Sequence, residues 1–259
     1  MTASLLTSHQ DAVVQQVIEI EQKKREHVVI ALSGAHAYGF PSPDSDVDMK
    51  SVHIDPTERI LGFGNGVAHA DRLEVIDGVE IDYTSNELKP VLMGVLQGNG
   101  NYIERFLGSY PLFASPDLEA LRPLVQRALS RRVFRHYLGF ATSQLKAFEA
   151  DGQRSAKKLL YVLRTALTGA HALKAGEIMT DLGELCGPYG FPAARSLIEA
   201  KLAGEKTQLK AAEAEHWMKE AERAFSVLKE AHERSALPVD PEGAGDLEAF
   251  LIAARRARF

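Results

Sequence analysis

Ser33-Gly34-Ala35-His36-Ala37-Tyr38-Gly39, followed after four intervening residues by Asp44-Ser45-Asp46-Val47-Asp48, decides the fold of this chain. Immediately upstream, His27-Val28-Val29-Ile30-Ala31-Leu32 is continuously apolar and rich in β-branched residues, so it predicts a buried strand. Downstream, Val47-Asp48-Met49-Lys50-Ser51-Val52-His53-Ile54 predicts a second strand. Side chains alternate along a strand, so Asp46 and Asp48 share one face. Two carboxylates held side by side repel unless a cation joins them, and hard oxygen donors of this kind suit Mg²⁺ or Mn²⁺. The glycine turn at Gly34 leaves room for a phosphate chain, and the free N–H groups of the short helix after it suit anionic oxygens.

Metal-assisted phosphoryl or nucleotidyl transfer commonly uses two ions about 3.5–4 Å apart and therefore a cluster of carboxylates. The next acidic strand supplies the third candidate. In Val79-Glu80-Ile81-Asp82-Tyr83 the acids alternate with apolar residues, so Glu80 and Asp82 share a face. Asp82 is the favoured ligand and a candidate base for the attacking hydroxyl, with Glu80 as the runner-up. Asp77-Gly78, between Arg72-Leu73-Glu74-Val75-Ile76 and this strand, is a strong hairpin signal.

The sequence has 259 residues, 45% hydrophobic and 25% charged, with a net charge of −5. These values are ordinary for globular chains and give no bulk attraction to nucleic acid. Cys186 is the only cysteine, which fits a reducing compartment, so the cytoplasm is the expected location. The first residues lack the basic and apolar regions of a signal peptide, and no apolar run is long enough to span a membrane.

Helical spacing of Val13, Val17 and Ile20 predicts a helix over residues 11–25, and another is expected over 85–97. The stretch 62–66 reads as a hairpin tip, and Asn101 as the cap of a helix over 102–107. Beyond about residue 115 strand signals vanish and helical patterning dominates. The expected fold class is α+β: a small mixed sheet in residues 1–120, followed by an all-helical domain in residues 121–259. In the helical half, Lys157, Tyr161, Arg164, Thr168 and His171 recur along one side of a helix whose other side carries Leu159, Leu163, Ala166, Ala170 and Leu173. Lys157 and Arg164 are candidates to hold phosphates, with an ordinary solvated face as the alternative. His36 and His53 read as packing or solvent-facing residues rather than catalytic ones, and Trp217 and Cys186 as core residues. The segment 243–259 reads as a helix with a basic end (Arg255, Arg256, Arg258) that either touches nucleic acid or caps its domain.

The run from Leu32 to Gly39 followed by Ser45-Asp46-Val47-Asp48 resembles the glycine-serine…Asp-x-Asp signature of the DNA polymerase β nucleotidyltransferase superfamily. The phrase Ala37-Tyr38-Gly39-Phe40-Pro41-Ser42-Pro43-Asp44-Ser45-Asp46 is similar to the branch that includes RNA-repair-pathway proteins. The likeness extends through Glu80-Ile81-Asp82-Tyr83, Gly98-Asn99-Gly100-Asn101 with Glu104, and Lys157-Lys158-Leu159-Leu160-Tyr161-Val162-Leu163-Arg164, and thins towards the C-terminus. It implies Asp46, Asp48 and Asp82 as the metal triad, Mg²⁺ (or Mn²⁺) as cofactor and an NTP as co-substrate. It also implies Ser33, Gly34, Ala35 and Ser45 beside the triphosphate. The reaction it implies transfers NMP to an acceptor, such as an RNA end or another nucleic acid, and releases pyrophosphate. The family usually carries Ser where this chain has Ala35. The loss of that hydroxyl keeps a weakened, nucleotide-binding regulatory protein as an alternative, beside nucleotidylation of a protein or small molecule.

Overall fold

The computed structural model of the chain describes residues 5–63, 66, 68–150, 155–202 and 208–259. The expected hairpin tip at 62–66 falls partly outside the described residues. The fold is α+β, as the sequence predicts, and divides into two compact units. The first holds the residues up to His36, Asp46–Ala128 and Pro241–Phe259; the second holds Ala37–Ser45 and Leu129–Asp240. The chain therefore crosses between units more than once, and the motif loop Ala37–Ser45 belongs with the helical unit.

In the first unit, helix α1 (Ser8–Gln22) starts at Thr7, whose hydroxyl and backbone form a reciprocal capping pair with Gln10. Strand β1 (Glu26–Ser33) is buried along nearly its whole length, as its apolar run requires. The short helix α2 (Gly34–Ala37) leads into the second unit, and β2 (Val47–Ile54) returns to the first. After α3 (Thr57–Leu61) come β3 (His69–Ile76) and β4 (Val79–Glu87), joined by Asp77-Gly78 with φ of 49° and 81°. Two positive φ values in a two-residue loop match the twist of the strands they join. Then follow α4 (Leu88–Leu96), α5 (Gly100–Leu107), β5 (Pro111–Ala114) and α6 (Pro116–Arg127). The sheet order is β3-β4-β2-β1-β5, with β2 and β4 parallel and the other pairs antiparallel.

Several elements differ from the sequence expectation, beginning with α1, expected over residues 11–25 and found over Ser8–Gln22. The strand β4 continues to Glu87, where a helix was expected from residue 85, because Ser85, Asn86 and Glu87 pair with Ser51, Val52 and His53 of β2. Glu87 then caps α4 by accepting from the Lys89 N–H at 2.8 Å. The cap of α5 is Asn99, not Asn101: its side chain accepts from the Asn101 N–H at 3.1 Å, so the helix begins at Gly100. The edge strand β5, with proline at its first position, carries too short a pattern to read.

The second unit contains α7 (Val133–Glu149), α8 (Ala156–Ala175), α9 (Leu182–Cys186), α10 (Ala194–Leu202) and α11 (Ala211–Glu233). Helix α8 is its axis and is buried on most sides. Trp217 and Cys186 lie in its core, as expected, and burial lifts the Cys186 thiol to about 11. The last helix, α12 (Ala244–Arg256), belongs to the first unit. No helix among the described residues is long and apolar enough to cross a membrane.

Candidate functional site

The parallel pairing of β2 with β4 sets Asp48 directly opposite Asp82, and the antiparallel pairing of β1 with β2 sets Ser33 opposite Asp48 on the other side. Val47, Met49, Ile81 and Tyr83 point into the core and are buried, so the intervening acids face the other way. Asp48 and Lys50 are two residues apart on that face, as are Asp82 and Thr84 on β4, while Asp46 lies just before β2 and its charge acts on Asp48. Glu80, the runner-up to Asp82, is exposed.

The Lys50 ammonium stands between the two partnered carboxylates. Its Nζ donates to Asp82 Oδ2 at 2.9 Å and to Thr84 Oγ1 at 3.3 Å, and lies 3.4 Å from Asp48 Oδ1. Asp48 is the least hydrated of these groups, its side chain 16% exposed against 37% for Asp82. Burial, and next the neighbouring charge of Asp46, push the Asp48 carboxyl up to about 6; Lys50 pulls in the opposite direction. Among the described residues, no three acidic, histidine or cysteine side chains are gathered closely enough to close around one ion. The donor set nonetheless fits a divalent ion in kind: three hard carboxylates, one of them desolvated, with a cation already drawn between two of them.

The turn before the acids is shaped around Asp48. Gly34 has φ +62°, and a Cβ built on it would lie 1.7 Å from Asp48 Oδ2. Only glycine leaves the carboxylate that space. Ala35 is buried, so its methyl is turned away from solvent. His36 and His53 are buried and hydrogen-bonded to the Leu5 carbonyl and the Ser85 hydroxyl, consistent with packing roles.

The motif loop is anchored inside the second unit. Tyr38 and Phe40 stack edge-on against Tyr161 of α8, at centroid distances of 5.7 and 5.5 Å. The Arg164 guanidinium lies 3.6 Å over the Tyr38 ring and is 1% exposed. Arg164 thus sits in the interior of its unit, while Lys157 is half-buried nearer the start of α8. Thr168 donates to the Met179 carbonyl, and His171 bonds Tyr189. The Ser45 hydroxyl is buried: it accepts from the Ser42 N–H at 2.9 Å and lies 3.4 Å from Lys201 Nζ, which also donates to Ser42 Oγ at 2.5 Å. Sequence reasoning missed Lys50 and Lys201. The period of two through Asp46 and Asp48 carried a signal for Lys50, whereas Lys201 lies far along the chain and carried none.

Two uncharacterized proteins are similar to this chain. One, from Methanocaldococcus jannaschii, is 31% identical over 156 residues, 60% of this chain; the chain spans only 63% of that relative's length. The other, YcgL of Bacillus subtilis, is 26% identical over 208 residues, 77% of this chain and 79% of its own. A nucleotidyltransferase-like protein from Exiguobacterium sibiricum aligns in structure over 96% of this chain and 80% of its own, with a TM-score of 0.35 and 12% identity. A family model matches residues 9–252, a span that includes both the glycine turn and the acidic strands. The chain belongs to the RNA repair pathway DNA polymerase beta family.

Proposed function

We propose that this protein is a metal-dependent nucleotidyltransferase that moves NMP from an NTP to an acceptor, with an RNA end as the first acceptor to test. The observation that carries this reading is the pairing of Asp48 with Asp82 across adjacent strands in a chain of this family. Asp46, Asp48 and Asp82 would hold the divalent ions, which when bound supply charge neutralisation at the phosphates and at the attacking oxygen. The Gly34 turn admits the triphosphate tail to the acids, with Ser33 and the backbone at Ala35 beside it. Asp82, the most hydrated of the two partnered acids, takes the proton from the acceptor hydroxyl as that oxygen attacks the α-phosphorus and pyrophosphate departs. Ser45 acts by tying the motif loop, through its bonds to Ser42 and Lys201. Arg164 is proposed to fix Tyr38 of the motif loop.

The test is transfer of label from α-labelled NTPs in Mg²⁺ or Mn²⁺ to RNA with defined ends, with protein and aminoglycoside acceptors in parallel. Transfer that Asp48→Asn abolishes supports the reading, and the labelled acceptor names the substrate class. NTP binding without transfer to any acceptor favours the second reading, a nucleotide-binding regulatory protein, which the buried methyl of Ala35 in place of the family's serine supports.

A further inference from the structure

Lys50 has no part in the mechanism above, yet its ammonium meets three acceptors: Asp82 Oδ2, Thr84 Oγ1 and, at 3.4 Å, Asp48 Oδ1. An ammonium has three protons, so this set answers its full donor capacity. Its surroundings require such a cation. Asp48 is poorly hydrated and feels the charges of both Asp46 and Asp82. With no positive group between them, partnered carboxylates on adjacent strands repel. We propose that Lys50 is a resident counter-cation of the acidic site, which a divalent ion must displace in order to bind, an inference that rests on the reading of these acids as metal ligands.

The four-carbon stem of lysine is flexible and its side chain is 23% exposed, so the ammonium has a route out of the site. A divalent ion on Asp48 and Asp82 would otherwise lie at contact distance from a unit positive charge. The consequence is a handicap on free metal. Ions bound to an NTP bring phosphate anions with them, and these offset the lysine charge. The site therefore favours metal arriving with nucleotide over metal alone. Lys50 acts through the carboxylates and is a positioning residue.

The test measures Mn²⁺ binding to the nucleotide-free protein, by electron paramagnetic resonance of free Mn²⁺ and by calorimetry, for wild type and for Lys50→Met, Lys50→Gln and Lys50→Arg. The neutral variants are expected to bind Mn²⁺ at least roughly tenfold more tightly than wild type, the scale of removing one unit charge at close range. Lys50→Arg keeps the charge and is expected to stay near wild type. In EDTA, the neutral variants are expected to melt below wild type and to gain more from added Mn²⁺. Lys50→Gln keeps polar hydrogen-bonding groups, so it reports the charge effect if the methionine variant does not fold. Neutral variants that bind Mn²⁺ equally or more weakly, while wild type binds it, overturn the role of Lys50 and leave the metal site standing. No Mn²⁺ binding by wild type or by any variant overturns both this inference and the reading it rests on.

Discussion

Gly34 and Asp48 occupy mutually exclusive space: a Cβ on the first would fall 1.7 Å from Oδ2 of the second. The turn and the acidic strand are therefore one device, since the glycine gives the carboxylate its position. Gly34→Ala adds a methyl where Asp48 must sit and forces a residue with φ +62° into a region that L side chains rarely adopt. The expected result is a folded protein with a lowered melting temperature and nucleotidyl transfer reduced by about two orders of magnitude, the scale that a misplacement of about 1 Å produces. Circular dichroism melts and label transfer measured on the same preparation check it. Full activity in Gly34→Ala would show that Asp48 need not hold this place.

The raised Asp48 carboxyl predicts a pH dependence of unusual sign. Its folded value of about 6 lies above the ordinary 3.8, chiefly because burial disfavours the charged form and next because Asp46 is close. Between about pH 4 and pH 6 the folded protein therefore binds more protons than the unfolded chain, so this group's contribution to stability falls as pH rises through that window, and is flat above it. Divalent ions compete with the same proton, so Mn²⁺ affinity is expected to fall as pH drops through 6. Melting temperatures of wild type and Asp48→Asn in EDTA, taken from pH 4 to 7, isolate the effect. The asparagine variant is expected to lose this downward component, and parallel profiles would show that Asp48 titrates normally.

The strand alternation that made the outward facing of Asp48 and Asp82 legible in the sequence works because a period of two survives any register, whereas Asp46 precedes β2. The partnering of Asp48 with Asp82 was not legible, because it depends on β4 lying parallel to β2 while β3 takes the sheet edge. Local pattern also hid the fate of Arg164. A cation amid Leu160, Val162, Leu163 and Ala166 reads as one polar stripe on an amphipathic helix, but α8 is wrapped by its neighbours and the guanidinium is stacked on Tyr38. The contiguous division at residue 120 likewise followed composition. Composition cannot register that Ala37–Ser45 joins the helical unit through Tyr38 and Phe40, or that Pro241–Phe259 joins the sheet unit.

His27 predicts the opposite pH slope. It is buried in β1, bonded through Nε2 to the Tyr83 hydroxyl at 2.6 Å. Burial, and next the positive charge of Arg25, lower its pKa from 6.5 to about 4. The unfolded chain thus binds more protons than the folded one between about pH 4 and 6.5, so stability from this group rises with pH across that window and is lost on acidification. His27→Gln removes the titration, so its profile is expected to lose this upward component and keep the fall with pH that Asp48 contributes. Because His27 and Asp48 oppose each other over nearly the same range, wild type is expected to vary less with pH than either single variant. A wild-type slope steeper than both would contradict one of the two assignments.

The basic end of the last helix makes contacts inside the first unit. Arg255 pairs with Glu87 and donates to the Asp55 carbonyl, while Arg258 bridges Glu26 and Asp117, each at 2.6 Å. These two pairs differ in burial, and that sets their worth. Glu26 is 57% exposed, so Arg258→Ala is expected to cost only about 1 kcal/mol, and less in high salt. Glu87 is 8% exposed and caps α4, so Arg255→Met strands a buried carboxylate at a helix start and is expected to cost about 3 kcal/mol. Urea midpoints at low and high ionic strength separate the two. If these arginines are structural, neither substitution shifts RNA affinity once the proteins are compared at temperatures where both are folded. A weakening of RNA binding by Arg258→Ala with no change in the urea midpoint would instead make that end of α12 a nucleic-acid contact, since a side chain that holds two carboxylates cannot be removed without loosening the fold it ties.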